Sequence, residues 1–284
     1  QPNSRWYSGA GIYRPVWLYV LPKAHIELQG GIKIKTLDYK NPRISVSVAT
    51  NAGGQLNISI ADGAKVIASK DLSTQGQASV EIDLPGAQLW SPENPYLYTC
   101  RVTFGDDVRE EKFGVRLLTC DAQRGMCING ERVILRGACI HHENGILGAV
   151  NHPYADERKI KLLQKYGYNA IRSAHNPTSK ATLEACDRLG MLVLDEYVDM
   201  WYIHKNKYDF ASQFADEWQK DLKALVDRDY NHPSVVMYST GNEVAETGQK
   251  KGIEFAGQMT KFIHTMDDRP VTCGINIFFN LLYS

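Results

Sequence analysis

After Asp121 the hydrophobic pattern of this chain changes period, and that change constrains the fold more than any other feature. Up to about Arg116, apolar and polar residues alternate in short runs: Arg43-Ile44-Ser45-Val46-Ser47-Val48, Leu56-Asn57-Ile58-Ser59-Ile60 and Ala78-Ser79-Val80-Glu81-Ile82. Alternation with a period of two buries one face of a strand. Between the runs stand Asn51-Ala52-Gly53-Gly54, Asp62-Gly63, Ser73-Thr74-Gln75-Gly76, Pro85-Gly86 and Gly105-Asp106-Asp107. Read as turns, they predict an antiparallel, immunoglobulin-like β-sandwich over residues 23–116. Gly11 to Val20 is a strand-like piece too short to fold alone, so residues 1–22 read as the tail of a preceding domain.

Beyond Asp121, strand-like runs alternate with helical ones, the signature of βαβ units. The predicted strands are Val133 to Gly137, Asn169 to Ser173, Met191 to Asp195, Val235 to Ser239 and Val271 to Gly274. Between them lie four helical stripes. The first is Ile160, Leu163 and Tyr166; the second is Leu183, Cys186 and Leu189, stopped by Gly190. Phe214, Trp218, Leu222 and Leu225 form the third, and Ile253, Ala256, Thr260 and Ile263 a fourth that Gly252 and Gly257 weaken. Five strands and four helices over 117–284 fit the first part of a (β/α)8 TIM barrel, which needs eight of each, so a piece of a longer polypeptide is expected.

The 284 residues carry 32 Lys and Arg against 32 Asp and Glu, so no net field favours nucleic acid or an acidic membrane surface; a neutral substrate fits. The six cysteines form no Cys-x-x-Cys pair, which argues against a zinc ribbon or disulfide scaffold and for mostly buried thiols. No run approaches the roughly 18 apolar residues of a membrane helix, and the start Gln1-Pro2-Asn3-Ser4 has no signal-peptide core. A soluble protein is expected, its compartment undetermined. Phosphate loops, dinucleotide fingerprints and Gly-x-Ser-x-Gly elbows are absent from the sequence.

Barrel enzymes place their chemistry at strand C-terminal ends. Val235-Val236-Met237-Tyr238-Ser239-Thr240-Gly241-Asn242-Glu243 offers an amide and a carboxyl group there. Glu243 is a candidate general acid or else a solvated loop carboxylate. Asn242 can bind a sugar hydroxyl or cap the next helix. His141 and His142 follow the first strand and His175 the second; each suits a substrate hydrogen bond, a metal or a structural bond. Adjacent histidines on an extended segment point apart, so His141 and His142 are not expected to face one ligand. His142, His175 and Glu196 could converge on zinc. Asp199 and Trp201 pair a carboxylate with a flat ring, which suits a sugar or a tryptophan packed on the barrel rim.

These residues carry a resemblance to glycoside hydrolase family 2, and within it to bacterial β-galactosidase-like enzymes. Arg5-Trp6-Tyr7-Ser8-Gly9-Ala10-Gly11-Ile12-Tyr13-Arg14-Pro15-Val16-Trp17-Leu18 resembles the end of its N-terminal sugar-binding jelly roll, and Leu89-Trp90-Ser91-Pro92-Glu93-Asn94-Pro95-Tyr96-Leu97-Tyr98 its immunoglobulin-like module. Phe113-Gly114-Val115-Arg116 resembles the barrel entry. Asn129-Gly130, Arg136-Gly137, His142-Glu143, Arg172-Ser173-Ala174-His175-Asn176-Pro177, Asp195-Glu196 and Gly241-Asn242-Glu243 then follow in family order. Tyr238 and Thr240 stand where relatives often have tryptophan and isoleucine.

The resemblance implies a retaining β-glycosidase, with Glu243 as acid/base and Asn242 on the sugar 2-hydroxyl. His142, His175, Asp199 and Trp201 would line the subsite of the terminal sugar. The nucleophile glutamate is expected on a later strand, beyond Ser284, so this segment alone should turn over little substrate. No cofactor is required by the sequence; some relatives use magnesium near the acid/base, and no ligand set here demands it. The expected partner is a carbohydrate substrate, a homo-oligomer is open, and a bacterial cytoplasm or periplasm is the implied setting. A β-galactoside is the expected substrate; β-glucuronidase, β-mannosidase and a non-catalytic carbohydrate-binding protein are the alternatives.

Overall fold

A computed structural model of the chain describes residues 11–276. The part of the jelly-roll-like motif before Gly11 therefore lies outside the described residues. The sandwich consists of β1 (Ile32–Asp38), β2 (Arg43–Asp62), β3 (Lys65–Asp83), β4 (Tyr98–Phe104) and β5 (Asp107–Phe113). All pairings are antiparallel, in the order β1-β2-β4-β5, with β3 also on β2. Ile44, Val46, Leu56, Ile58 and Ile60 alternate inward as predicted and, with Cys100 and Val102 of β4, are almost wholly buried in one core.

Two of the predicted turns are something else. Asn51 to Gly54 and Ser73 to Gly76 lie opposite each other inside one long hairpin, with Gly53 paired to Gln75 at a register shift. The first half of β2 pairs with β1 and the second half with β4, so the irregularity marks where the ribbon passes from one set of neighbours to the other. Glycine and small polar residues serve a bulge as well as a reversal, and their composition does not separate the two. Asp62-Gly63 and Gly105-Asp106 do reverse the chain.

Three short antiparallel strands follow: β6 (Leu118–Asp121), β7 (Gly125–Ile128) and β8 (Glu131–Arg132). The barrel segment then alternates β9 (Gly137–Ile140), α1 (Pro153–Lys165), β10 (Ala170–Ser173), α2 (Lys180–Leu189), β11 (Leu192–Glu196), α3 (Ala211–Asp229), β12 (Val235–Asn242), α4 (Lys250–His264) and β13 (Val271–Gly274). Its five strands are parallel and adjacent in chain order among the described residues. The predicted first strand is displaced: Gly137 to Ile140, not Val133 to Gly137, pairs with Ala170 to Ser173. A short apolar run carries no phase information, and Ile134 is 63% exposed on the approach to the sheet.

All four helices form. Ser179 caps α2 by accepting Thr182 N–H, and Gly190 ends it at φ 76°, while a Cβ there would lie 2.2 Å from Pro92 O of the sandwich. Tyr166 and Ile253 turn out exposed rather than part of their stripes, and Met259 with Ile263 supplies the buried face of α4. The cysteines are all free, but only Cys100, Cys127 and Cys186 are buried, which corrects the expectation that most would be.

Trp90, Met126 and Ile128 pack against Ala170, Leu192 and Val236 at the N-terminal ends of three strands, which closes the barrel floor. The sandwich is joined there by specific bonds. Arg116 donates to the carbonyls of Pro233 and Val235 at 2.7 Å each, Asn231 brackets Ile32 O and Ile34 N at 2.9 Å, and Trp90 Nε1 donates to Asp187 O at 2.9 Å. With the floor sealed, the opposite strand ends are left for chemistry.

Residues 11–22 form no strand. A strand needs a ladder partner for its backbone groups, and this segment instead runs to the barrel rim, where Tyr13 O accepts Asn151 N–H at 2.9 Å. No helix among the described residues is long and apolar enough to cross a membrane.

Candidate active site

Three consecutive strand ends build the rim. At the end of β10, Arg172 reaches across to Glu196 Oε2 with Nε at 2.9 Å and Nη2 at 2.6 Å, and Nη2 also donates to Asn242 Oδ1 at 2.9 Å. Glu196, fully buried at the end of β11, takes Ser239 Oγ at 2.6 Å on the same oxygen and holds His175 Nδ1 2.7 Å from Oε1. Both of its oxygens are thus committed to neighbours. Asp195, equally buried, is bound by Ser173, Thr178 N–H and Arg228.

Asn242 is almost wholly buried at the end of β12. Its Oδ1 accepts from Arg172, and its Nδ2 donates to Asp199 Oδ1 at 2.8 Å. It caps no helix: Val244 and Gln249 occupy the cap positions that follow. Glu243, half-buried, comes next with φ at 45°, and its N–H donates to Gly274 O at 2.7 Å. The β12 end thereby presents an immobilised amide followed at once by the carboxyl group.

The histidines diverge, as extended geometry requires. His141 meets the His175 ring edge-on at 5.1 Å. His142 faces Arg14, whose Nη2 lies 3.0 Å from Nε2, and Asn176. Burial, reinforced by the Arg14 charge, pushes the His142 pKa down to about 4, so the ring is neutral at neutral pH. A zinc site on His142, His175 and Glu196 is not formed: no group of three or more His, Cys, Asp or Glu among the described residues could hold a metal.

Trp201 requires a correction. Its indole is fully buried, donates Nε1–H to Thr240 O at 2.8 Å, and packs against Phe214 and Phe255. It supports the barrel wall and offers no face to a sugar. Gly241 makes room for it, since a Cβ there would sit 2.7 Å from the indole nitrogen.

Arg172, Lys205, Arg14, Asn176 and Ser239 also belong to this cluster, though none was among the residues expected from sequence. Arg172 and Asn176 were visible in the Arg172-Ser173-Ala174-His175-Asn176-Pro177 motif, Arg14 in the Arg5 to Leu18 motif and Ser239 in the strand, but the partners of Arg14 are remote in sequence, and nothing in the loop around Lys205 announces its bond to Asn242 O. A cavity of about 910 Å³ opens between the sandwich at Gly30 and Arg109 and the barrel loops at His175, Asn176 and Asp199. Glu243 is not in its lining, whereas Asp199, which accepts from Asn242, and His175, which bonds Glu196, are.

Comparison with known proteins agrees with this architecture. The model of "Glycosyl hydrolases family 2, TIM barrel domain" matches residues 122–281, and that of "Glycosyl hydrolases family 2" matches 21–116. A protein named β-galactosidase BoGH2A, from Bacteroides ovatus, is 35% identical over 266 residues, covering 87% of this chain and 31% of its own length. This chain therefore spans about a third of that relative. A crystal structure of a glycosyl hydrolase family 2 member from Bacteroides cellulosilyticus superimposes with a TM-score of 0.91 at 36% identity, over 99% of this chain and 39% of the other. A β-glucuronidase from an uncultured Clostridium sp. gives a TM-score of 0.81 at 29% identity, over 95% and 47%. With its sandwich and its barrel segment matched in order, the chain belongs to glycoside hydrolase family 2.

Proposed function

We propose that this chain carries the general acid/base of a retaining β-glycosidase that removes a terminal β-linked sugar, galactose before others. The observation that supports this most is the Asn242-Glu243 pair at the rim end of β12, its amide fixed between Arg172 and Asp199. A retaining enzyme needs one carboxylic acid to protonate the leaving oxygen and a second carboxylate about 5–5.5 Å away to attack the anomeric carbon. Glu243 would serve as the first. Glu196 is unsuited to be the second, because Arg172, His175 and Ser239 occupy its oxygens. The nucleophile is taken to come from outside this chain.

Asn242 keeps one N–H of its amide for a sugar 2-hydroxyl. His142, neutral and with its ring nitrogens held by Arg14 and Asn176, would line the subsite as a fixed wall. Asp199 and His175 complete the proposed sugar-facing rim. The relative named β-galactosidase supports galactose. The relative named β-glucuronidase keeps a uronic acid as the second reading. A uronate carboxylate wants an uncommitted cation, whereas the two cations that touch Asn242 are each paired, Arg172 with Glu196 and Lys205 with Asp199.

Release of p-nitrophenol from β-linked galactoside, glucuronide, mannoside and glucoside tests the proposal, using this chain, a longer polypeptide that contains it, and the Glu243→Gln variant of each. We expect little turnover by the chain alone, preferential galactoside turnover by the longer protein, and a loss of about 10²–10⁴-fold in the variant. Undiminished turnover by Glu243→Gln would remove the acid/base assignment. Tight sugar binding by the longer protein without turnover would instead support a carbohydrate-binding role.

A further inference from the structure

We propose that Lys205 is a positioning residue for Glu243, acting through the peptide group that joins Asn242 to Glu243; the inference rests on the assignment of Glu243 as acid/base. That peptide is gripped at both ends. Its carbonyl oxygen accepts a hydrogen bond from Lys205 Nζ, and its N–H donates to Gly274 O on β13 at 2.7 Å. Turning the peptide plane breaks both bonds. Glu243 itself sits at φ 45°, a left-handed conformation that a non-glycine residue adopts at a cost and keeps when its surroundings fix it. These two bonds therefore set the direction in which the Glu243 side chain leaves the backbone.

Lys205 belongs to no strand, so its position needs a cause of its own. It lies in the loop between β11 and α3, and Asp209 shapes that loop. One Asp209 oxygen accepts the N–H groups of Lys205 at 2.7 Å and Asn206 at 2.8 Å. The other accepts Ala211 N–H at 3.1 Å and lies 2.7 Å from His204 Nδ1. Glu246, itself buried, accepts Ile203 N–H at 2.7 Å. Two carboxylates thus fix the loop backbone and aim the Lys205 side chain over the end of β12.

There the ammonium meets two acceptors. Asp199 Oδ1 lies 2.9 Å away, and the same oxygen accepts Asn242 Nδ2 at 2.8 Å. Lys205 consequently holds Asn242 twice, by its side chain through Asp199 and directly by its main chain. A three-donor cation can do this where a neutral side chain of similar length cannot. The Lys205 side chain is 19% exposed, so these charge-assisted bonds are partly shielded from water.

A misdirected acid impairs protonation of the leaving group, which matters when that group is a poor one. The test compares wild type, Lys205→Met, Lys205→Arg and Glu243→Gln in a polypeptide that contains this chain. Substrates are the methyl and 2,4-dinitrophenyl β-glycosides of whichever sugar the p-nitrophenyl panel identifies. For Lys205→Met we expect kcat/KM on the methyl glycoside to fall about 100-fold and on the dinitrophenyl glycoside less than about fivefold, with Lys205→Arg recovering most of the loss. A crystal structure of Lys205→Met, which needs no turnover, should show the Asn242 carbonyl rotated and Glu243 away from φ 45°.

An unchanged Asn242–Glu243 peptide in that structure, or an equal loss on both substrates, overturns the role of Lys205. If Glu243→Gln fails on the methyl glycoside while Lys205→Met behaves as wild type, only the Lys205 proposal falls. If Glu243→Gln hydrolyses the methyl glycoside normally, the acid/base assignment falls and takes this proposal with it.

Discussion

Glu196 and Glu243 stand at neighbouring strand ends, and Glu196 is fully buried where Glu243 is half-buried. Glu196 is a buried anion balanced by Arg172 and hydrogen-bonded by His175 and Ser239. Removing one partner of such a pair leaves the other buried and uncompensated. Glu196→Ala should therefore lower unfolding stability by about 3–5 kcal/mol, read from urea denaturation, and release Arg172 from its orientation toward Asn242. His142 carries a pH dependence of its own. Its folded pKa lies at about 4 against an ordinary 6.5, so the unfolded chain binds the extra proton between those values. The contribution to stability is complete above about 6.5 and is lost as pH falls toward 4. In Arg14→Met, loss of the like charge should raise the His142 midpoint, observed by proton NMR titration. The position of Asn242 and Glu243 at the rim was legible in the sequence because a strand that ends in Gly-Asn-Glu fixes which residues emerge there. Trp201 was not, because a residue name does not say which side of the barrel wall a ring occupies.

At the scale of elements, β12 shows how tightly the rim is seated. Gly241 backs onto the Trp201 indole, whose nitrogen also bonds Thr240 O. Gly241→Ala should force the indole or the strand to shift, costing about 1–3 kcal/mol in a denaturation midpoint and disturbing Asn242 next door. The parallel strands after the first were readable from apolar runs bounded by polar ends, and Gly190 correctly marked the close of α2. The first strand was not, since the run from Val133 to Leu135 looks like a strand and pairs with nothing in the parallel sheet. The long β2–β3 hairpin was hidden for a related reason: glycine clusters at 51–54 and 73–76 serve a bend in the ribbon as readily as its end. Lys205 is the clearest case of a site group placed by an element the sequence does not announce. Its loop is shaped by Asp209 and Glu246, and no periodicity reports hydrogen bonds of that kind.

Across the whole molecule, sandwich and barrel segment share a floor. Arg116 spans the junction to Pro233 and Val235, and Lys33 pairs with Asp227 at 2.7 Å. Residues that sequence assigned to separate units thus meet at the end of α3 and the start of β12. Arg14 does the same at the opposite pole, reaching His142 and the Pro177 carbonyl from a segment read as the tail of another domain. Arg116→Met should split the thermal unfolding of the chain into two calorimetric transitions where the unaltered chain gives one.

In the proposed mechanism the Glu243 carboxyl group first donates and then recovers a proton. Azide rescue of Glu243→Ala, in a polypeptide containing this chain and with a 2,4-dinitrophenyl β-galactoside, tests it most directly. A small anion that needs no general base should restore turnover and yield the β-galactosyl azide, because attack on a covalent intermediate retains configuration. An absence of rescue in a variant that still releases dinitrophenol at the wild-type rate, or an α-configured azide product, would contradict it.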